Sequence, residues 1–499
     1  MRAGEAVPSA TESGAVVCDA PDGPVAEAFT RFGWRSATVR PLALAVLVGV
    51  LTSGVYTVFS ALQWQSFAAP SWDLGIFTQL ASQYASGQAP VVTIKGEGYN
   101  LLGDHFHPLL VLLGPVYAVF PHAFTLIVVQ NVLFGLAAAV IAVAAMRLLG
   151  LWPGALFGLA FGFSWGLQGA VSVQFHEVAC AVPLLALSLA AFLHKRVLAC
   201  ALWALPIVFV KEDLGLTVFA LGLVLAWQSR RPLGLWLAVW GLAWFAIASF
   251  VVLPALNPGG RWAYTSSMDL GALFADPLAI LQPEKGVTVL FLLLSTALVA
   301  LRSPLALVLL PTLAWRFLSD NPGYWGPGWQ YSAVLMPILF CAAIDGIRRL
   351  RGSPLTLFRG YGRIAVVVIV VVAAALTPQL PLARLASPGA EFSTERAADA
   401  EGALAVVPSG SRVESDVGLM NYLAARTSVY WLGNENPVPD YLVLDHVAGG
   451  LPGEWDTVQT VADVLHPAET FHTIYSAGGY EVAKRVTTDL LYARSKPAT

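Results

Sequence analysis

Four short segments of this 499-residue chain carry the side-chain types that move protons and hold anions. WDLGIFTQ contains Asp73, and GDHFHP contains Asp104, His105 and His107. QFHE supplies Gln174, His176 and Glu177, and KED supplies Lys211, Glu212 and Asp213. A carboxylate at Asp73 or Asp104 could accept the proton of a hydroxyl nucleophile as general base. Asp104, His105 and His107 are also the candidates for holding a divalent cation, because carboxylate oxygens and imidazole nitrogens both donate to metals. One His-x-His spacing more often marks a hydrogen-bonding pair than a metal site. The two imidazoles share a side only if the segment is extended.

Asp73 has a second role open to it. Ser71 and Asp73 are both good N-cap types for the stretch LGIFTQLASQYASG, and Gly87 suits its C-terminal end. Capping and catalysis are compatible. Further along, the loop 257–286 offers Arg261, Trp262 and Tyr264, and DNPGYWGPGWQY ends on Tyr331. A cation there suits a lipid-linked phosphate, and an aromatic face suits a sugar ring. Singly, charges at helix ends are snorkelling or solvated residues, and Trp325 and Trp329 read as aromatic-belt residues. The joint occurrence of acids, histidines and a lysine in separate turns raises the functional reading, with His105, His107, His176, Glu177, Lys211, Glu212, Asp213, Arg261 and Tyr331 as substrate-binding candidates.

The elements that must position these residues follow from composition. The chain is 57% hydrophobic and 12% charged, whereas soluble domains carry about 25% charged residues. A wholly soluble protein is excluded. Apolar runs of about twenty residues, enough to cross a bilayer core, recur from Pro41 to Pro381. This is the pattern of an all-α polytopic membrane protein surrounded by membrane lipids. With net charge −3, no nucleic-acid partner is expected.

Basic residues set the expected topology. Arg31, Arg35 and Arg40 precede the first apolar run, which keeps the N-terminus cytoplasmic and makes that run an uncleaved anchor. Placing Arg147, Lys195, Arg230, Arg302 and the cluster from Arg348 to Arg363 on the same side gives eleven spans. They fall near 41–62, 123–146, 153–173, 178–193, 197–210 and 214–228, then 233–256, 287–301, 304–318, 330–347 and 364–384. The apolar stretch from Pro108 to Phe120 is too short to cross and is expected to be re-entrant or interfacial. Of the acids between residues 41 and 390, only Asp345 then faces inward. Acids contribute little to topology, so their segregation points to an ionisable site at the outer boundary.

Three domains are expected: a disordered cytoplasmic tail over 1–35, a transmembrane domain over 36–390 with a long outer loop 63–107, and an extracytoplasmic domain over 391–499. The last carries 15 acidic residues against 7 basic ones, a formal −8, which leaves +5 on the remainder. Its short apolar runs, Leu404 to Val407, Val429 to Leu432 and Tyr441 to Leu444, alternate with a helical stretch at Gly418 to Ala425. That pattern reads as a small α/β domain of βαβ type. GxGxxG, P-loop and GxSxG motifs do not occur in it. Cys18, Cys180, Cys200 and Cys341 show no CxxC spacing and imply neither a disulfide framework nor a zinc site.

Taken in order, WDLGIFTQ, GDHFHPLLVLLGPVYAVFP, QFHE, VKEDLGL and PSGSRVESDVGLMNYLAARTSVYWL resemble a family of bacterial predicted membrane proteins, a domain of unknown function grouped with the GT-C glycosyltransferases. The resemblance covers about residues 41–450. It implies a GT-C-like fold in the bacterial plasma membrane and an enzyme that takes a sugar from a polyprenyl-phosphate donor to an extracytoplasmic acceptor. Asp73 matches the functional Asp of the first outer loop, although Leu74 follows it where the GT-C pattern often has Glu. Gln330 stands where many relatives have His before Tyr-Ser. The resemblance further implies Asp73 or Asp104 as base, with Lys211, Arg261 or a bound cation at the departing phosphate. A transporter or flippase would instead require charged or broken positions at span centres and internal repeats. A non-catalytic scaffold would leave the outward clustering of acids and histidines without a purpose.

Overall fold

The computed structural model describes residues 39–262, 282–450 and 457–486. The expected tail 1–35, Tyr264 and the acids Asp269 and Asp276 lie outside the described residues. The apolar runs fold as helices because a backbone in hydrocarbon must pair its own N–H and C=O groups within the segment. Val39–Gln65 and Ala123–Leu149, 27 residues each, extend roughly 40 Å. Leu151–Ser172, Pro232–Leu256 and Thr356–Gln379 are also long and apolar enough to cross a membrane. Shorter apolar helices include Glu177–Leu193, Val197–Phe209, Leu214–Ser229 and Pro304–Leu318. The chain is a multi-pass membrane protein.

Several runs are less regular than their composition suggests. The 153–173 run bends between helices Leu151–Gly162 and Trp165–Ser172. The 233–256 run passes through a π turn at Ala248–Val252. The 287–301 and 304–318 runs become helix Pro283–Ser295, 3-10 turns at Val299–Arg302 and Pro304–Leu309, and helix Leu310–Leu318. Pro304 and Pro311 lack the N–H that a continuous helix would use. Pro108–Val119 is short, and Val111, Leu112, Val116, Val119 and Phe120 are exposed on it or beside it. Such an apolar outer face suits an interfacial position.

Helices Leu214–Ser229 and Pro232–Ile247 pack as a close hairpin through small residues. A Cβ added at Gly222 would meet the backbone of Ala238, and one at Gly234 would meet that of Ala226. Close backbone approach is what small residues provide where water supplies no hydrophobic drive between helices. Gly222→Val is therefore expected to cost about 1–3 kcal/mol by overpacking. A lower melting temperature in detergent would register it; an unchanged one would contradict the packing.

The C-terminal region forms a five-stranded sheet in the order β2-β1-β3-β5-β4. Its strands are β1 (Arg412–Ser415), β2 (Ser428–Trp431), β3 (Tyr441–Asp445), β4 (Phe471–Ala477) and β5 (Tyr480–Arg485). β1 is parallel to β2 and β3, and β5 runs antiparallel to β3 and β4. The helix Val417–Leu423 joins β1 to β2, as a βαβ unit requires. The run Leu404 to Val407 is not a strand: helix Ala397–Ala405 continues into it. Ala-rich AADAEGALA favours helix on propensity, and that local preference outweighs four apolar residues.

One face of this sheet shares a core with the segment that follows the first long helix. Leu74, Phe77 and Leu80 of helix Trp72–Ala85 lie in one buried cluster with Val413, Leu419 and Val429. Gln79 Nε2 and Thr93 Oγ1 both donate to the Val429 carbonyl, at 2.9 and 2.6 Å. Asn421 Nδ2 donates to Ala69 O at 2.8 Å. The helix that carries Asp73 is thereby fixed from the C-terminal side of the chain as well as by its own loop.

Candidate active site

Asp73 sits in the first turn of Trp72–Ala85. Ser71 is the N-cap, its hydroxyl accepting from Leu74 N at 3.1 Å. Asp73 is therefore released from capping, and its side chain is 51% exposed. Asp73 Oδ2 lies 3.2 Å from His176 Nε2. The other ring nitrogen, His176 Nδ1, lies 3.1 Å from the Gln174 carbonyl. A carbonyl only accepts, so Nδ1 carries a proton, and Nε2 facing a carboxylate carries one too. Both contacts favour the imidazolium form of His176. Burial alone would lower its pKa, but Asp73, Glu177 and the Gln174 carbonyl together raise it. Burial alone would raise Asp73, whereas the charge and hydrogen bond of His176 bring it below the ordinary carboxylate value.

The turn that delivers His176 is itself constrained. Gln130, on helix Ala123–Leu149, donates to Gln174 O at 3.0 Å and accepts from His176 N at 3.1 Å. Gln174 adopts φ +65°, a left-handed conformation unusual for a residue with a Cβ. Strain of this kind persists only where the surroundings enforce it. Here Gln130 does so.

Lys211 Nζ contacts Glu177 Oε1 at 2.8 Å, with both side chains largely buried. Burial would lower the lysine, but Glu177, Asp213 and Glu212 raise it well above its ordinary value. Glu212 lies 2.8 Å from His105 Nδ1 through Oε1 and accepts from Phe106 N at 3.0 Å through Oε2. Against its burial, His105 and Lys211 hold it down to about 2. Asp213 is different: burial pushes it up to about 6, and its Oδ1 has no hydrogen-bond partner among the described residues. His107 is driven by burial down to about 4. Asp104 is engaged by Lys95 at 3.2 Å and by Tyr99 OH at 3.4 Å.

These groups line one cavity of about 390 Å³, within the roughly 300–1,000 Å³ of small-molecule sites. Of the sequence candidates, Asp73, Asp104, His105, His107, His176 and Glu177 line it. Lys211, Glu212, Asp213 and Tyr331 border it too. Arg261 does not: it is exposed and outside the lining, although its neighbour Trp262 belongs to it. The proposed metal set does not converge, since Asp104 turns to Lys95 and His105 to Glu212. Among the described residues, no cluster of three His, Cys, Asp or Glu could hold a metal ion. Trp315, Ser319 and Tyr324 also line the cavity; Tyr324 belongs to the aromatic loop DNPGYWGPGWQY, whereas Trp315 lies inside an apolar run and resembles any other span residue. Lys95, outside the lining but paired with Asp104, carries only the signal of a lone cation in a long loop.

Asp213 gives a pH signature with a definite sign. A carboxyl raised from an unfolded value near 3.9 to about 6 in the fold contributes stability fully present below pH ~4. That contribution is lost as pH rises through about 6. Asp213→Asn removes this loss, so the variant is expected to melt above wild type at pH 8 and to lose that advantage near pH 4. A gap independent of pH would contradict it.

The chain matches the family model described as Predicted membrane protein (DUF2079) over residues 63–482. It belongs to that family. No curated protein matches it. Among solved structures, it is similar to ArnT from Cupriavidus metallidurans bound to undecaprenyl phosphate, with TM-score 0.50 and 15% identity, covering 89% of this chain and 98% of that one. The apo state of the same protein matches with TM-score 0.46, 15% identity and coverage of 86% and 98%. The likeness to the undecaprenyl-phosphate-bound structure shows that this DUF2079 chain has an ArnT-like fold.

Proposed function

We propose that this DUF2079 protein is a GT-C-type membrane glycosyltransferase that moves a sugar from a polyprenyl-phosphate donor to an acceptor on the extracytoplasmic side. The observation that carries the proposal is the half-exposed Asp73 carboxylate, held by His176, in a cavity beside the buried Lys211. The fold likeness to a protein crystallised with undecaprenyl phosphate supports the class of donor. In this reading the body 36–390 lies in the bacterial plasma membrane, crossed eleven times, with the N-terminus cytoplasmic and the domain 391–499 outside. Acceptor glycan, lipid or protein would approach from that outer side.

The chemistry assigned is one displacement. The acceptor hydroxyl oxygen bonds to the anomeric carbon as the bond from that carbon to the phosphate oxygen breaks. Asp73 takes the hydroxyl proton, and polyprenyl phosphate leaves with the bonding electrons. His176 keeps the carboxylate in place, and Lys211 offsets charge on the departing phosphate. Asp73 is preferred to Asp104 as base because Asp104 is engaged by both Lys95 and Tyr99 and is only 13% exposed. Lipid co-purifying with the protein tests the proposal by mass spectrometry. Polyprenyl-phosphate sugars are expected; bulk phospholipid alone would overturn it.

A further inference from the structure

The cavity is lined by two unlike sets of residues. In one, ionic groups are largely paired with each other, as described for His176, Glu177 and Glu212. The other is aromatic and comes from helix Leu310–Leu318 and the loop after it. Trp315, Tyr324 and Tyr331 meet edge to face, with centroids 5.4, 5.8 and 4.9 Å apart and interplanar angles of 74°, 86° and 80°. Rings arranged edge-on cannot all cover one another's faces.

This aromatic set is rigidly built. Arg316 is fully buried, and its guanidinium donates to Tyr324 O at 2.7 Å, Gly326 O at 2.9 Å and Ser332 Oγ at 3.0 Å. Trp325 Nε1 donates to Ser319 O at 2.8 Å, and Lys285 Nζ lies 4.2 Å over the Trp325 ring. A buried arginine spent on loop carbonyls holds the aromatic groups in fixed positions, as a preorganised site requires.

Unpaired polar atoms accompany it. Among the described residues, Trp315 Nε1, Gln330 Oε1, Asp213 Oδ1 and His107 Nδ1, all on residues that line the cavity, are buried without hydrogen-bond partners. Each such group costs stability unless a ligand completes it. A pyranose offers what is missing: an apolar C–H face for a ring and hydroxyls that both donate and accept. We propose that Trp315, Tyr324, Tyr331 and Gln330 form the sugar subsite of the cavity, with the Trp315 indole N–H and the Gln330 amide reading sugar hydroxyls. That the sugar arrives on a polyprenyl phosphate rests on the glycosyltransferase reading; the subsite itself does not.

Two binding measurements on the full-length protein in nanodiscs separate the two claims. In the first, undecaprenyl phosphate is compared with undecaprenyl phosphates carrying glucose, galactose or mannose. Wild type is expected to favour at least one glycosylated lipid over the bare one. Trp315→Phe, which keeps an aromatic face but removes the pyrrole half of the indole with its N–H, is expected to weaken that lipid about tenfold and to leave the bare lipid unchanged. Equal loss for both lipids, or no loss for either, overturns the subsite while leaving lipid binding intact. In the second, methyl glycosides of the same three sugars are followed by saturation-transfer NMR. Transfer that Trp315→Phe diminishes supports the subsite even if no lipid binds, and the donor reading alone then fails. Should Trp315→Phe melt well below wild type, Gln330→Leu takes its place with the same selective loss expected.

Discussion

Asp73→Asn is expected to lower turnover by about 10²–10⁴-fold, the usual contribution of a positioned acid or base. Asn keeps the size of the side chain and loses the capacity to take a proton. Helix Trp72–Ala85 should form as before, because Ser71 rather than Asp73 caps it. His176 also loses the carboxylate that helps raise its pKa, so it is expected to hold its proton less strongly in the variant. The test is mass spectrometry of lipid retained by the purified wild type and variant, with a folding control. Polyprenyl-phosphate sugar should accumulate in the variant because it binds and is not consumed. Asp104→Asn, by contrast, should retain most activity, since Lys95 and Tyr99 already occupy that carboxylate. Equal activity of wild type and Asp73→Asn would sink the assignment of the base.

Lys211→Met is expected to cost about 3–5 kcal/mol of stability, the range for breaking one half of a buried ion pair. Glu177 would remain buried with its ammonium partner gone. The loss has a pH dependence of predictable sign: without Lys211 the Glu177 carboxyl is easier to protonate, so the variant should recover as pH falls. Lys211→Met combined with Glu177→Gln should regain much of the loss, because neither half is then an uncompensated charge. Thermal unfolding in detergent at pH 5 and pH 8 measures all three proteins. Additive losses in the double variant would show that the two side chains are not a pair.

How much of the site could be read in advance depended on the kind of residue. Asp73, His176, Glu177 and the Lys211 turn stand out in sequence because ionisable residues are costly beside a membrane and fall between apolar runs. Trp315 gave no comparable signal. An aromatic residue in an apolar run is compatible with lipid, core or ligand, and only packing separates these. Arg261 shows the opposite case: its type suits a phosphate, and its exposed position outside the cavity lining is visible only in the fold. Leu404 to Val407 looked like a strand because four apolar residues carry no periodicity that distinguishes strand from helix end.

The sequence by itself determined that this is a helical membrane protein with a small α/β region, because composition and run length are local properties that no later contact can alter. It also determined which turns hold ionisable groups. The tertiary structure decided the pairing: His176 with Asp73, 103 positions away in the chain, His105 with Glu212, and Lys211 with Glu177. It decided as well that the C-terminal sheet braces the helix of Asp73 through Val429 and Asn421. Such pairings depend on where separate helices and turns meet in space. Spacing along the chain carries no information about that, and the energy of a buried charge is set by its neighbours.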